Sequence, residues 1–217
     1  IGIPRTDAGV CNDRTDMLNA ETIVFYASNP AWSAAGTPSY HYIRAKEAGV
    51  KFITVDPIYT ASAQILDAYW IPVRTGTDTA FMLGVASEML RLDKEEGNVV
   101  DWDFLDKCTV GFDADHKPAD LKEDVNFLDY LNGVYDGEPK TAEWASKICG
   151  VPVEKITYFA REIGKEHDVW MLHNFAAARC NGSENVPQLF MTLSAMGGHY
   201  GKPGNCSASN YHANAGN

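Results

Sequence analysis

Apolar residues recur along this chain at two spacings. The first is the short, unbroken run. Thr22-Ile23-Val24-Phe25-Tyr26-Ala27, Lys51-Phe52-Ile53-Thr54-Val55, Trp70-Ile71-Pro72-Val73 and Asp168-Val169-Trp170-Met171-Leu172-His173 are each bounded by turn-forming residues. Runs of this length, rich in β-branched and aromatic side chains, predict strands buried on both faces. The second spacing is helical. Met82, Val85, Ala86, Met89 and Leu90 fall on one face and predict a helix over about 78–92, ended by Lys94-Glu95-Glu96-Gly97-Asn98, whose charged residues read as a solvated turn.

The same spacing predicts a helix over 39–48 with Tyr42, Ile43 and Ala45 inward, stopped by Gly49. It predicts another over 152–164 with Ile156, Phe159, Ala160 and Ile163 inward, and an apolar helix over 184–196 ending at Gly197-Gly198. Residues 61–67 read as a turn or short helix. Capping residues add detail: Asp101 before a helix over 101–107, Thr141 before a helix carrying Trp144 and Ile148 and stopped by Gly150, and Thr15 or Asp16 before a helical turn. Residues 109–140, rich in Gly, Pro and Asp, read as a loop-rich excursion, and the tail from Tyr200 as polar and irregular.

Strands alternating with helices predict an α/β fold, a doubly wound, mainly parallel sheet with helices on both faces, as one domain over 1–217. In such sheets ligands lie beyond the carboxyl ends of the strands, where the strand order switches. Those ends are Ser28-Asn29-Pro30, Asp56-Pro57, Arg74-Thr75-Gly76-Thr77-Asp78 and His173-Asn174-Phe175. All four carry polar or turn-forming groups that can face one crevice.

Composition narrows the functions. The chain has 217 residues, 45% hydrophobic and 22% charged, with a net charge of −11, which argues against nucleic acid as partner. Its longest apolar runs are far short of the roughly 20 residues of a membrane span. With neither a signal peptide nor an initiator Met, it reads as a piece of a larger protein. Cys11, Cys108, Cys149, Cys180 and Cys206 form no CxxC pair, and the six histidines form no HxxxH or HExxH. Neither a metal set nor a nucleophile-and-base pair emerges. Tyr40-His41-Tyr42 reads as an aromatic helix face.

The chemistry therefore concentrates at the strand ends. No GxGxxG follows the first strand and no GxxxxGK[ST] occurs, which disfavours an ordinary NAD site and a phosphate-cradling loop. Asp56 stands where doubly wound folds place the acid that binds ribose hydroxyls; it can equally be a turn residue. Asp78 can start the helix as a cap or first-turn acid, worth on the order of 0.5–2 kcal/mol. It can also accept two parallel hydrogen bonds from guanine N1–H and N2–H, a donor pair that adenine lacks. Gly76 permits close backbone approach, and Arg74 can meet a phosphate.

Taken together, "ETIVFYASNP", "KFITVDPIYTASA" and "WIPVRTGTDTAFMLGVASEML" resemble, in order and spacing, the central region of molybdopterin oxidoreductases of the dimethyl sulfoxide reductase family. "FLDKCTVGFD", "TAEWASKICGVPVEKITYFAREIG" and "LSAMGGHYGKPGN" continue the resemblance over nearly the whole chain. It implies a molybdopterin guanine dinucleotide held by Ser28, Asn29 and Pro30, by Asp56, Pro57 and Thr60, and by Arg74, Gly76, Thr77 and Asp78, the last reading guanine. His173, Asn174 and Phe175, in "HNFAAARCNG", are implied near the pterin. Departures are Ile58 where the family often has Arg, Ala27 for a common Gly, and Trp32 where charged residues are frequent.

The resemblance further implies a bis form of the cofactor with molybdenum, an iron–sulfur cluster and a molybdenum ligand upstream of Ile1, and no catalytic residue within this fragment. It implies partner domains of the same subunit, an iron–sulfur electron-transfer subunit and a membrane anchor subunit, at the periplasmic or outer face of the cytoplasmic membrane. The implied activity is S- or N-oxide reduction in anaerobic respiration. Polysulfide, thiosulfate, nitrate or formate chemistry on the same scaffold is the near alternative. A non-catalytic nucleotide-binding module is the distant one.

Overall fold

The computed structural model describes residues 12–33, 38–118, 120, 125–174, 176–177 and 179–209. Its centre is a parallel sheet of β1 (Thr22–Tyr26), β2 (Lys51–Val55), β3 (Tyr69–Ile71), β4 (Val169–His173) and β5 (Cys206–Ser209), in the order β3-β2-β1-β4-β5. The doubly wound α/β expectation holds. From β1 the chain builds outward through β2 to β3, then crosses back to β4 on the other side, so the order switches between β1 and β4.

Around the sheet lie α1 (Pro30–Ser33), α2 (Pro38–Glu47), α3 (Ala61–Leu66), α4 (Asp78–Glu96), α5 (Trp102–Cys108), α6 (Phe127–Leu131), α7 (Ala142–Cys149), α8 (Val153–Glu162) and α9 (Val186–Met196). Strand alternation sends side chains to both faces. Ile23, Phe25, Phe52, Trp170 and Leu172 pack with Tyr42 and Ala45 of α2 and with Ala63 and Leu66 of α3. Val24, Tyr26, Ile53, Val55 and Met171 pack on the opposite face with α4, α7, α8 and α9. All of β1 and β4 is buried, which is why these strands read as continuous apolar runs.

Helix α4 is buried nearly all round, with Phe81, Met82, Val85, Ala86, Met89 and Leu92 at 0% exposure, because α7, α8 and α9 all pack on it. Its middle carries Gly84. A Cβ there would lie 2.3 Å from the Ala145 Cβ of α7, so the two helices meet at backbone distance. Ile156, Phe159 and Ala160 of α8 and its C-cap Ile163 point inward as expected.

The structure corrects several expectations. The tail is not irregular: Cys206–Ser209 forms β5, in register with Trp170–His173. Its small, polar residues carry no local strand signal. Distant contacts recruit it: the Asn205 amide donates to Asp168 (2.6 Å) while its oxygen accepts from the Val169 N–H (3.2 Å). Fully buried His199 braces the same turn, with Nδ1 2.9 Å from Asn205 Oδ1 and Nε2 2.8 Å from the Ile163 carbonyl.

Lys94-Glu95-Glu96 is the last turn of α4, not a solvated turn after it. Strand β3 ends at Ile71, one residue before Pro72, which has no N–H to give a ladder. Ile43 is 41% exposed rather than inward, since its neighbours Tyr42 and Ala45 take the sheet-facing side. On α7 the buried positions are Ala142, Ala145 and Cys149, since only small side chains fit against Gly84. The cap of the 3-10 turn Arg14–Asn19 is Asp13, not Thr15 or Asp16. Asp101 and Thr141 cap α5 and α7 as expected.

Segment 109–140 is loop-rich but tied to the core. It contributes Phe112 and Leu131 to the main cluster. Buried Lys140 pins its end, paired with Asp136 at 2.6 Å and lying over the Tyr130 and Trp144 rings.

The α4–α7 contact makes a test. Gly84→Ala gains about 1 kcal/mol of helix propensity but forces two rigid Cβ groups together. We expect net destabilisation of about 1–3 kcal/mol in urea unfolding, with most of the loss recovered on adding Ala145→Gly.

Candidate functional site

Because every strand runs the same way, the four segments flagged at strand ends gather on one edge of the sheet. The edge begins where β1 ends. Ala27 takes φ +49°, a left-handed conformation unusual for a residue with a Cβ, and turns the chain sharply into Ser28. The Ser28 hydroxyl is buried without a hydrogen-bond partner among the described residues. Asn29 is anchored: its side-chain oxygen accepts from the Ser62 hydroxyl (2.7 Å) and N–H (3.2 Å), and its carbonyl accepts from the N–H groups of Trp32 and Ser33. Pro30 opens α1 and is buried. Asn29 thereby locks the β1 loop to the start of α3.

Beyond β2, Asp56 is half-buried. Its Oδ1 accepts from the Ile58 N–H (3.1 Å) and its carbonyl from the Trp70 indole (2.8 Å). Burial raises its pKa above the usual carboxylate value, and the charge of Asp78 adds to the rise. Pro57 is exposed. Thr60 is buried and committed as the cap of α3, its hydroxyl accepting from the Ala63 N–H at 3.1 Å. Trp32 at 83%, Ile58 at 65% and Tyr59 at 49% exposure give this rim an apolar character.

Beyond β3, a tight turn sets up α4. Thr77 donates its hydroxyl to the Arg74 carbonyl at 2.6 Å and makes no side-chain cap to the helix. Arg74 is exposed and donates to the Ile148 carbonyl at the end of α7 (2.9 Å), where a cation suits the helix dipole. Gly76 sits at φ +79° with open space where a Cβ would stand, so ligand atoms can approach its backbone. Asp78, the first residue of α4, is only 7% exposed. It accepts from the Tyr26 hydroxyl at 2.9 Å. Burial raises its pKa, while that hydroxyl and the N–H groups of Asp78 and Gly76 oppose the rise. Asp78 is thus both the first-turn acid of α4 and the end of a buried hydrogen bond from β1.

At the switch, His173 closes β4 in register with Tyr26. It is 4% exposed, neither ring nitrogen has a hydrogen-bond partner among the described residues, and Phe190 of α9 packs edge-on at 4.7 Å. Burial pushes its pKa down to about 4. Asn174 is half-buried and donates its N–H to the Tyr26 carbonyl (3.2 Å). Phe175 and Cys11 lie outside the described residues.

Sequence reasoning missed Tyr26 and Ser62. Tyr26 read as one more apolar core residue. The available signal was that a phenol deep in a core requires a partner for its hydroxyl. Chemically, the edge offers a half-buried carboxylate, Asp56, and a buried one, Asp78, and, at the switch, two buried polar side chains that lack hydrogen-bond partners among the described residues. It also offers an open glycine at the start of a helix of 19 residues. Such an arrangement can accept hydrogen bonds from a polar ligand with several donors. Among the described residues no three His, Cys, Asp or Glu side chains come together as metal ligands, and no helix is long and apolar enough to cross a membrane.

No family model matches the chain. It is 33% identical over 203 residues to a trimethylamine-N-oxide reductase of Haemophilus influenzae, covering 90% of this chain and 22% of that protein. It is 32% identical over 202 residues to the dimethyl sulfoxide reductase DmsA of Escherichia coli, covering 91% and 24%. It is also 33% identical over 201 residues to a dimethyl sulfoxide/trimethylamine N-oxide reductase of Cereibacter sphaeroides, covering 89% and 22%. The chain spans about a quarter of the length of these relatives. Among solved structures, acetylene hydratase from Pelobacter acetylenicus matches with a TM-score of 0.64 and 17% identity over 90% of this chain and 25% of that one; this likeness concerns the fold.

The buried imidazole predicts a pH dependence. Folded His173 resists protonation down to about pH 4, whereas the unfolded residue titrates near 6.5. Its contribution to stability is therefore present above about pH 6.5 and is lost as pH falls toward about 4. Urea unfolding across this window should show a weaker loss for His173→Gln than for the unmodified protein.

Proposed function

We propose, from the premise that this chain belongs to the dimethyl sulfoxide reductase family of molybdoenzymes and covers about a quarter of its members' length, that it binds a guanine dinucleotide form of the molybdopterin cofactor within a longer reductase of S- or N-oxides. The observation that carries this is the single edge where the ends of β1, β2, β3 and β4 lie together at the strand-order switch, with buried Asp78, half-buried Asp56 and two buried polar side chains that find no partner among the described residues.

The residues fit such a group. Asp78 would hold the base. An ionised carboxylate has about four lone-pair positions, and Tyr26 takes one of them. Asp56, with Oδ1 already steadied by Ile58, would take the ribose hydroxyls. Gly76 and Thr77 would admit the base edge close to the backbone, and the exposed Arg74 would lie toward phosphate with the donors that Ile148 leaves over. Asn29, fixed by Ser62, would present the β1 turn with Ser28 and Pro30. Pro57 and Thr60 shape the β2 loop. His173, with Asn174 and Phe175, would border the pterin, its neutral imidazole able to give one hydrogen bond and accept another. When bound, the molybdenum and pterin supply two-electron transfer with removal of an oxygen atom; this chain binds, orients and excludes water.

On the same reading, the longer protein carries an iron–sulfur cluster in its N-terminal part and a second dinucleotide. It works at the outer face of the cytoplasmic membrane with an electron-transfer subunit and a membrane anchor subunit, in anaerobic respiration. The 32–33% identity to dimethyl sulfoxide and trimethylamine N-oxide reductases favours oxide reduction over nitrate or formate chemistry.

In the full-length protein, Asp78→Ala should lower the guanine nucleotide released by acid hydrolysis, per polypeptide, by about tenfold or more, with a modest fall in melting temperature. Normal guanine content with only a lowered melting temperature would instead assign Asp78 to helix capping alone.

A further inference from the structure

Tyr26 belongs to no nucleotide contact named above, yet it sets the state of Asp78. We propose that Tyr26 is the positioning and specificity-determining residue of the base site: its hydroxyl holds the Asp78 carboxylate ionised and oriented, so that the site accepts guanine and rejects bases without two adjacent N–H donors. This deepens, and rests on, the reading of Asp78 as the guanine contact.

Selectivity for guanine sets the first requirement. An ionised carboxylate is acceptor-only, whereas a protonated one presents an O–H donor. Guanine offers N1–H and N2–H side by side, hypoxanthine lacks the second donor, and adenine presents an acceptor beside a donor. Two acceptors therefore select guanine, and a donor–acceptor pair loses that selection. Asp78 sits where ionisation is opposed: it is buried, and Asp56 at the neighbouring strand end is close enough for the two negative charges to interact.

Among the described residues, the side chain that donates to Asp78 is Tyr26, at 2.9 Å. Its phenol stays protonated, because burial and then the Asp78 charge hold its pKa well above the usual value. It can only donate to the carboxylate. Its ring cannot swing away. It is 1% exposed, tilted against Phe81 at 6.2 Å and edge-on to Phe190 at 5.8 Å, at the end of a strand paired on both sides. Among the described residues, the other titratable or charged groups around this carboxylate are Asp56 beyond β2 and, toward the end of α7, Cys149, which feels the charges of both Asp78 and Arg74. Arg74 spends a donor on Ile148, so the short-range hold on Asp78 comes from Tyr26 and the Gly76 and Asp78 N–H groups.

The test uses the full-length polypeptide that carries this segment, purified free of cofactor. It is titrated calorimetrically with GDP, IDP and ADP from acid to neutral pH. The unmodified protein should prefer GDP and lose that preference toward acid. Tyr26→Phe keeps both ring contacts and removes one oxygen. It should reduce the preference for GDP over IDP by about tenfold at neutral pH and move the midpoint of the acid loss toward neutral. A purely structural role would lower melting temperature without moving that midpoint. If Asp78→Asn abolishes the preference while Tyr26→Phe leaves preference and midpoint unchanged, the base-site reading stands and the role of Tyr26 is overturned. If Asp78→Asn itself keeps the unmodified preference, the base-site reading falls, and this proposal with it.

Discussion

The two-sided pairing of β1 is the constraint on which the rest of the molecule depends. Thr22–Tyr26 bonds to β2 on one side and to β4 on the other, with all five residues buried. A central strand with parallel neighbours must have both faces covered by helices, because each return to the same end of the sheet requires a crossover. It also sends every strand's carboxyl end to one edge. The two hydrophobic clusters follow from the first consequence and the crevice from the second.

At that edge, groups that complete the fold are the same groups proposed to meet a ligand. Asp78 starts α4, where a negative charge suits the helix dipole, yet it is buried deeply enough that burial raises its pKa. An uncompensated carboxylate in such a place would be costly; the Tyr26 hydroxyl, with the nearby Gly76 and Asp78 N–H groups, offsets that cost. Ser28 and His173 go further, since their buried polar atoms find no hydrogen-bond partner among the described residues. Sites that leave folding requirements partly unmet in this way are where local rules are expected to fail for functional reasons.

The strand ends were legible because they obey local rules. Asn-Pro, Asp-Pro and Gly-Thr-Asp are turn and cap signals, and the alternation of runs between them implies a parallel sheet. What each group touches was not legible. Thr60 turned out to be a committed helix cap, Arg74 a brace for the end of α7, and Asn29 a lock onto Ser62. Tyr26, 52 residues before Asp78, carried no local mark separating it from its apolar neighbours. Likewise β5 is a strand only because β4 offers it an edge, and Asn205 and His199 hold it there.

The sequence by itself determined the α/β class, four of the five strands, most helix starts and stops, and the four segments that converge on the site. Each of these depends on contacts within a few residues: hydrophobic period, capping and turn chemistry. Only the tertiary structure decided the strand order, the fifth strand, the close approach of α4 and α7 at Gly84, and the burial and partners of Asp56, Asp78 and His173. Those depend on which distant segments share a boundary. Burial and pairing are properties of that boundary rather than of any residue alone.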